Sequence, residues 1–138
     1  MNILLLTNEF PPHIYGGAGI HVQYLSREVA KLMPVHVRCF GDQNMTTGNL
    51  SALGFSLDSN SYTCPKPLRS VFGALQRSLD FNTIDFKADL VHCHTWYVHW
   101  AGILAKVNYG IPLVITVHSL EPLRPSKRRP SRPPPRRH

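Results

Sequence analysis

The sequence predicts an α/β domain in which a parallel sheet carries helices on both faces. Three observations lead there. Short apolar runs recur at Ile3 to Thr7, Val35 to Phe40, Asp89 to His94 and Leu113 to Val117. Between them lie segments with apolar residues at helical spacing, Ala18 to Leu32, Pro67 to Phe81 and Tyr97 to Tyr109. Proline and glycine mark the boundaries between the two kinds of segment. Strands that alternate with helices build right-handed βαβ units, and these give a parallel sheet covered on both sides.

The elements follow in order. Ile3-Leu4-Leu5-Leu6-Thr7 is apolar throughout, as expected of a strand buried on both faces. In the next segment Val22, Leu25, Val29 and Leu32 form a helical stripe, and Pro34 ends it. Val35-His36-Val37-Arg38-Cys39-Phe40 alternates as a strand does and stops at Gly41-Asp42. Residues 42–61 are rich in Asn, Ser, Thr and Gly and predict a long surface loop, with room for a short strand near Tyr62. From Pro67 to Phe81 a stripe of Leu68, Phe72, Leu75 and Leu79 predicts an amphipathic helix. The strand Asp89 to His94 follows, then a helix with Trp100 in its core and Gly110 as its stop, then Ile111-Pro112 and the strand Leu113 to Val117.

With 138 residues the chain has room for one domain, and 43% hydrophobic residues suffice for its core. The net charge of +7 is local. Arg124, Lys127, Arg128, Arg129, Arg132, Arg136 and Arg137 crowd the end of the chain with no acid among them, so eight basic and eight acidic residues remain in 1–123. The expected division is therefore a domain over 1–123 and a basic, Pro/Arg-rich disordered tail over 124–138. The sequence leaves open whether that tail is native or the product of a shifted reading frame.

Cys39, Cys64 and Cys93 are odd in number and widely spaced, as in a cytoplasmic protein with reduced thiols. Neither a signal peptide nor a membrane span is expected from the apolar N-terminus.

Glu9-Phe10-Pro11-Pro12-His13-Ile14-Tyr15-Gly16-Gly17-Ala18-Gly19-Ile20-His21 joins the first strand to the first helix. Free backbone N–H groups and a positive macrodipole at such a helix start attract anions, and glycines let a phosphate or its sugar come close. The spacing matches neither a dinucleotide fingerprint nor a P-loop, which argues against an oxidoreductase.

Ligands of open α/β sheets bind beyond the carboxyl ends of the strands. Three strands here end in polar residues, at Thr7-Asn8-Glu9, His92-Cys93-His94-Thr95 and Val117-His118-Ser119. If those strands are neighbours, Glu9, His94 and His118 share one crevice with Gly16 and Gly17. His92 and His94 fall on one strand face, the spacing of a metal pair, but no third ligand stands at a convincing spacing. No metal or cofactor is expected, and His94 is assigned to substrate. His13, His21, His36 and His99 carry no argument of their own.

Asn-Ile-Leu-Leu-Leu-Thr-Asn-Glu-Phe-Pro-Pro, Gly-Gly-Ala-Gly-Ile-His-Val, Asp-Leu-Val-His-Cys-His-Thr-Trp and Val-Ile-Thr-Val-His-Ser, in this order, resemble the N-terminal half of a GT-B retaining glycosyltransferase. The likeness covers residues 1–125 and is nearest to glycogen and starch synthases and their relatives. It implies a Rossmann-like half of a two-domain fold. It also implies that Gly16 and Gly17 face the donor's diphosphate and glucosyl unit, that His118 lines the reaction centre, and that Glu9, His94 and Trp96 line the cleft for acceptor and donor. Tyr15 stands where bacterial glycogen synthases carry a lysine, so no phosphate contact by a lysine carries over.

The chemistry implied is glucosyl transfer from ADP- or UDP-glucose to an α-glucan such as glycogen, without a metal. A maltose-1-phosphate-forming or sucrose-type transferase is the alternative. The family's second domain, with its nucleotide pocket, is absent from these residues, so this chain alone is expected to be inactive. A nucleic-acid-binding module acting through the tail is the alternative of another class, but the neutral body lacks an aromatic-basic patch. Neither nucleic acid nor membrane is an expected partner.

Overall fold

The computed structural model describes residues 1–57 and 63–120. Among the described residues six strands form one sheet: β1 (Ile3–Leu6), β2 (Val35–Phe40), β3 (Asn44–Thr47), β4 (Leu50–Phe55), β5 (Leu90–His94) and β6 (Leu113–Thr116). Three α-helices cross over it: α1 (Gly17–Ala30), α2 (Arg69–Asp80) and α3 (His99–Tyr109). Short 3₁₀ turns, Lys66–Leu68 and Trp96–Val98, lead into α2 and α3. The strand order is β3-β4-β2-β1-β5-β6, so β1 is central and β5 and β6 continue from it on one side.

β1 pairs in parallel with both β2 and β5, β2 with β4, and β5 with β6. The sheet is mixed only at its far edge, where β3 runs antiparallel to β4.

The pleat of β1 divides the core. Leu5 points to the face covered by α1 and packs with Val22, Val35, Val37 and Cys39. Leu4 and Leu6 point to the other face and pack with Phe81, Val91, Cys93, Val98 and Ala101. Each such buried aliphatic side chain contributes about 1.5–3 kcal/mol of transfer free energy. Gly102 lets α3 lie against β5, since a Cβ there would meet the sulfur of Cys93. Gly110, at φ 67, closes α3 in the left-handed conformation that glycine favours.

Three expectations need correction. The loop expected over residues 42–61 contains β3 and β4. β4 earns its place in the sheet by burying Leu50 and Ala52 beside β2, a period-2 signal diluted by Ser51, Leu53 and Gly54. The stripe expected to bury α2 is turned outward: Leu68, Phe72, Leu75 and Leu79 are exposed, and the buried residues are Gly73, Ala74 and Ser78. Small residues win there because they admit a close neighbour; a Cβ on Gly73 would meet Leu57. Trp100, expected in the core, is 44% exposed. The expected strand near Tyr62 and the tail expected over 124–138 lie outside the described residues.

Candidate functional site at the strand ends

The carboxyl ends of β1, β5 and β6 are adjacent, so the polar residues that follow them converge. Thr95, just after β5, donates its hydroxyl to Asn8 Oδ1, just after β1, at 2.7 Å. Thr95 has φ 73, a backbone conformation costly for a β-branched residue. This strained residue turns the chain from β5 into the 3₁₀ turn that carries Trp96.

Beside it lies a cavity of about 570 Å³, lined by Ala18 of α1, by Thr95, Trp96, Tyr97 and His99 after β5, and by residues 117–119 after β6, His118 among them. Ala18 belongs to the first turn of α1. Gly16 is the N-cap of that helix, in extended conformation and without a side-chain cap. Trp96 is 52% exposed and stacks on Tyr97, ring centroids 4.1 Å apart, which fixes the indole plane at the cavity.

Glu9 has a different place from the one expected. Its Oε2 accepts the backbone N–H groups of Tyr15 at 3.0 Å and Gly16 at 2.9 Å. The carboxylate therefore ties the glycine loop down from below. It already occupies two of the amides that an anion would seek. The first-turn N–H groups that follow, at Gly17 and Ala18, point out of the helix start without a helical acceptor. Gly19 has no room for a side chain, because a Cβ would lie 2.6 Å from Glu9 Oε2.

Behind the cavity four imidazoles gather. His94 is 0% exposed and its Nδ1 lies 3.1 Å from Nε2 of His118. Its ring is 4.1 Å from that of His92 and 5.6 Å from that of His21, centroid to centroid. His21 also stands 5.3 Å from His118, nearly edge-on. His92 Nε2 lies 2.7 Å from the Thr116 hydroxyl.

Burial, then the neighbouring histidines, pushes the pKa of His94 down to about 3, so its ring is neutral. His92 and His118 are lowered for the same reasons, burial first. Among the described residues no group of three or more ligating side chains has the arrangement of a metal site. The His92–His94 pair belongs to a histidine stack.

Of the residues singled out from sequence, His118 and Trp96 line the cavity, and Gly16 and Gly17 form the adjoining helix start. His94 lies beneath His118 and reaches the cavity through it, and Glu9 reaches it through the loop. His21, given no role from sequence, joins the cluster. Its signal was position: it is next to Val22, the residue that seats α1 on the sheet.

The dominant charged side chain elsewhere is Arg38. It donates to the backbone carbonyls of Phe81 and Ile84, and its guanidinium lies 4.5 Å over the ring of Phe86. Burial lowers its pKa to about 10. It lines a second cavity, about 410 Å³, with Asp85, Lys87 and residues of β2, β3 and β4. Among the described residues, no helix is long and apolar enough to cross a membrane.

Three relatives share most of this chain. The alpha-maltose-1-phosphate synthase of Mycolicibacterium smegmatis is 41% identical over 131 residues, covering 92% of this chain and 30% of the relative. The protein of the same name from Mycobacterium tuberculosis is 38% identical over 128 residues, covering 93% and 31%. A glycogen synthase of Mycobacterium tuberculosis is 25% identical over 141 residues, covering 88% and 34%. The chain thus spans about a third of the length of these curated relatives. The model of Glycosyltransferase Family 4 matches residues 15–138, nearly all of the chain. With its α/β sheet and the cavity at its strand ends, this chain belongs to that glycosyltransferase family, as a Rossmann-like half of a GT-B fold.

Proposed function

We propose that this chain forms the N-terminal part of a transferase that moves a glucosyl unit from ADP-glucose or UDP-glucose to an acceptor hydroxyl, with retention of configuration. The observation that carries the reading is the meeting of the α1 helix start, Trp96 and His118 around one cavity. In the transfer, the bond between the anomeric carbon and the diphosphate oxygen breaks, and the diphosphate leaves with the electron pair. The acceptor oxygen bonds to that carbon and gives up its proton to the departing diphosphate oxygen.

Negative charge grows on the departing diphosphate. The free amides of Gly17 and Ala18 and the α1 dipole are suited to stabilise it. His118 positions the transferred sugar, and the exposed Trp96 indole offers a flat apolar face to an acceptor sugar ring. Glu9 and His94 act from beneath, by holding the loop and the His118 ring. The three free cysteines suit a reducing, cytoplasmic setting.

Two acceptors fit this chemistry: the end of an α-glucan such as glycogen, and a sugar phosphate, as the formation of α-maltose 1-phosphate implies. Identities of 41% and 38% against 25% favour the second. The nucleotide grip is assigned to a second domain of the kind the longer relatives have room for. Closure of such a domain over the cavity would exclude water from the reacting groups.

The test is a chimera in which residues 1–120 replace the matching part of the Mycolicibacterium smegmatis relative. A cooperatively melting chimera should transfer glucose from ADP- or UDP-glucose to glucose 1-phosphate or to glycogen. His118→Ala should lower that transfer by about 100-fold or more, the scale of a lost positioning contact. A folded chimera that transfers to neither acceptor, beside an active parent, refutes the reading.

A further inference from the structure

The proton arrangement of the histidine stack follows from burial. His94 has two ring nitrogens and no exposed surface. Nδ1 faces His118 Nε2 at 3.1 Å, while Nε2 is buried with no hydrogen-bond partner among the described residues. A neutral imidazole carries one proton. With the proton on Nε2, a buried N–H would lack an acceptor, which folded proteins almost never tolerate. With the proton on Nδ1, the group left unpaired is a lone pair, and the N–H donates to His118 Nε2. His118 Nε2 must then be the bare nitrogen of its ring, so its own proton sits on Nδ1. That nitrogen has no partner among the described residues and belongs to a side chain that lines the 570 Å³ cavity.

We propose that His94 is a positioning residue that holds His118 in its Nδ1–H tautomer, so that the cavity presents an N–H donor selective for an oxygen acceptor. The identity of that acceptor, a hydroxyl or ring oxygen of the transferred sugar, rests on the glycosyl-transfer reading above; the tautomer does not.

The groups that face this pair are consistent with a neutral relay. His21 looks in from α1, His92 from the same strand and Thr116 from β6. Glu9 is turned to the loop amides, and Asp42 pairs with His13 on the surface. No carboxylate among the described residues hydrogen-bonds to any of the four imidazoles, so nothing there favours imidazolium. His118 therefore meets its ligand as a neutral donor. A protonated ring would donate from both nitrogens and would repel the donor N–H of His94.

The experiment is a two-bond ¹H–¹⁵N spectrum of the histidine rings in the full 138-residue chain at neutral pH, with no sugar or nucleotide present. His118 signals are assigned by their loss in His118→Ala. The expected result is a pyrrole-type nitrogen at Nδ1 and a pyridine-type nitrogen at Nε2 of His118. His94→Asn keeps an N–H donor near the position of Nδ1 and should keep that tautomer. His94→Leu removes the donor, and His118 should shift to the Nε2–H form that free imidazole side chains prefer.

A wild-type His118 protonated at Nε2 overturns the proposal. So does a His94→Leu chain that retains the Nδ1–H form. The wild-type spectrum decides by itself if a variant does not fold, and the result is independent of whether the chimera transfers glucose.

Discussion

β2 and β5 flank the central strand as equals, yet they handle their polar residues in opposite ways. On β2, the α1 face carries Val35, Val37 and Cys39, and the polar residues of the other face are both paired, His36 with the Ser51 hydroxyl and Arg38 with backbone carbonyls. On β5 the apolar residues Val91 and Cys93 face away from α1, and the α1 face carries His92 and His94. Helix α1 spans both situations, with Val22 seated in the β2 half and His21 over the histidines of β5. A cavity adjoins each strand. The one beside β2 is lined by a guanidinium that is already paired, whereas the one beyond β5 adjoins the first-turn amides of α1 and His118, whose Nε2 pairs with His94 and whose Nδ1 has no partner among the described residues. The difference separates polar residues that hold the fold from those left free to bind.

The largest effect should come from the shared apolar half. Leu5→Ala removes a side chain that is 2% exposed beneath α1. It should cost about 2–5 kcal/mol of unfolding free energy, read by urea denaturation. Arg38→Met should cost less, about 1–3 kcal/mol, because the carbonyls of Phe81 and Ile84 lose their charged donor. The His118 ring signals should stay where they are in that variant; if they move, the two halves of the sheet are coupled and the comparison fails.

Glu9→Ala frees the Tyr15 and Gly16 amides and should lower stability by about 1–2 kcal/mol, the scale of a lost helix cap. Faster amide exchange in residues 15–19 should accompany it, and Glu9→Gln should recover part of the loss.

The last effect is on pH dependence, absent at neutral pH and confined to the acid range. His94 has a folded pKa of about 3 against an ordinary 6.5, so the unfolded chain binds the proton more readily than the folded one. This contribution is complete above about pH 6.5 and is lost as pH falls toward about 3. His92 and His118 act in the same direction. His94→Leu should flatten the acid limb of a melting-temperature profile, and an unchanged slope would mean that His94 is not held neutral in the fold.

Much of this was legible in the sequence, because strong apolar runs and helix stops act locally. The bounds of β2 agree to the residue, and those of β1, α1, β5 and β6 to within two. The adjacency of β1, β5 and β6, which creates the site, stood as a condition and the sheet order supplies it. What failed depended on neighbours. β4 is a strand because β2 pairs with it, although Ser51 and Gly54 do not read as strand residues. α2 buries Gly73, Ala74 and Ser78 because close approach outweighed the larger apolar stripe. At the site, sequence named residue types but not their partners. That Glu9 would turn to the amides of Tyr15 and Gly16, or that His94 would lie under His118, is set by loop path and register, which a single chain's letters do not carry.

The central claim is that binding belongs to the β5–β6 side. A titration of the uniformly ¹⁵N-labelled chain with ADP-glucose and UDP-glucose, at concentrations high enough for weak binding, tests it directly. The account predicts shifts in the amides of Gly17 and Ala18 and in the side chains of Trp96 and His118, with none at Arg38, Asp85 or Lys87. Shifts confined to the Arg38–Lys87 cavity, or none at the α1 start with either nucleotide sugar, would contradict it.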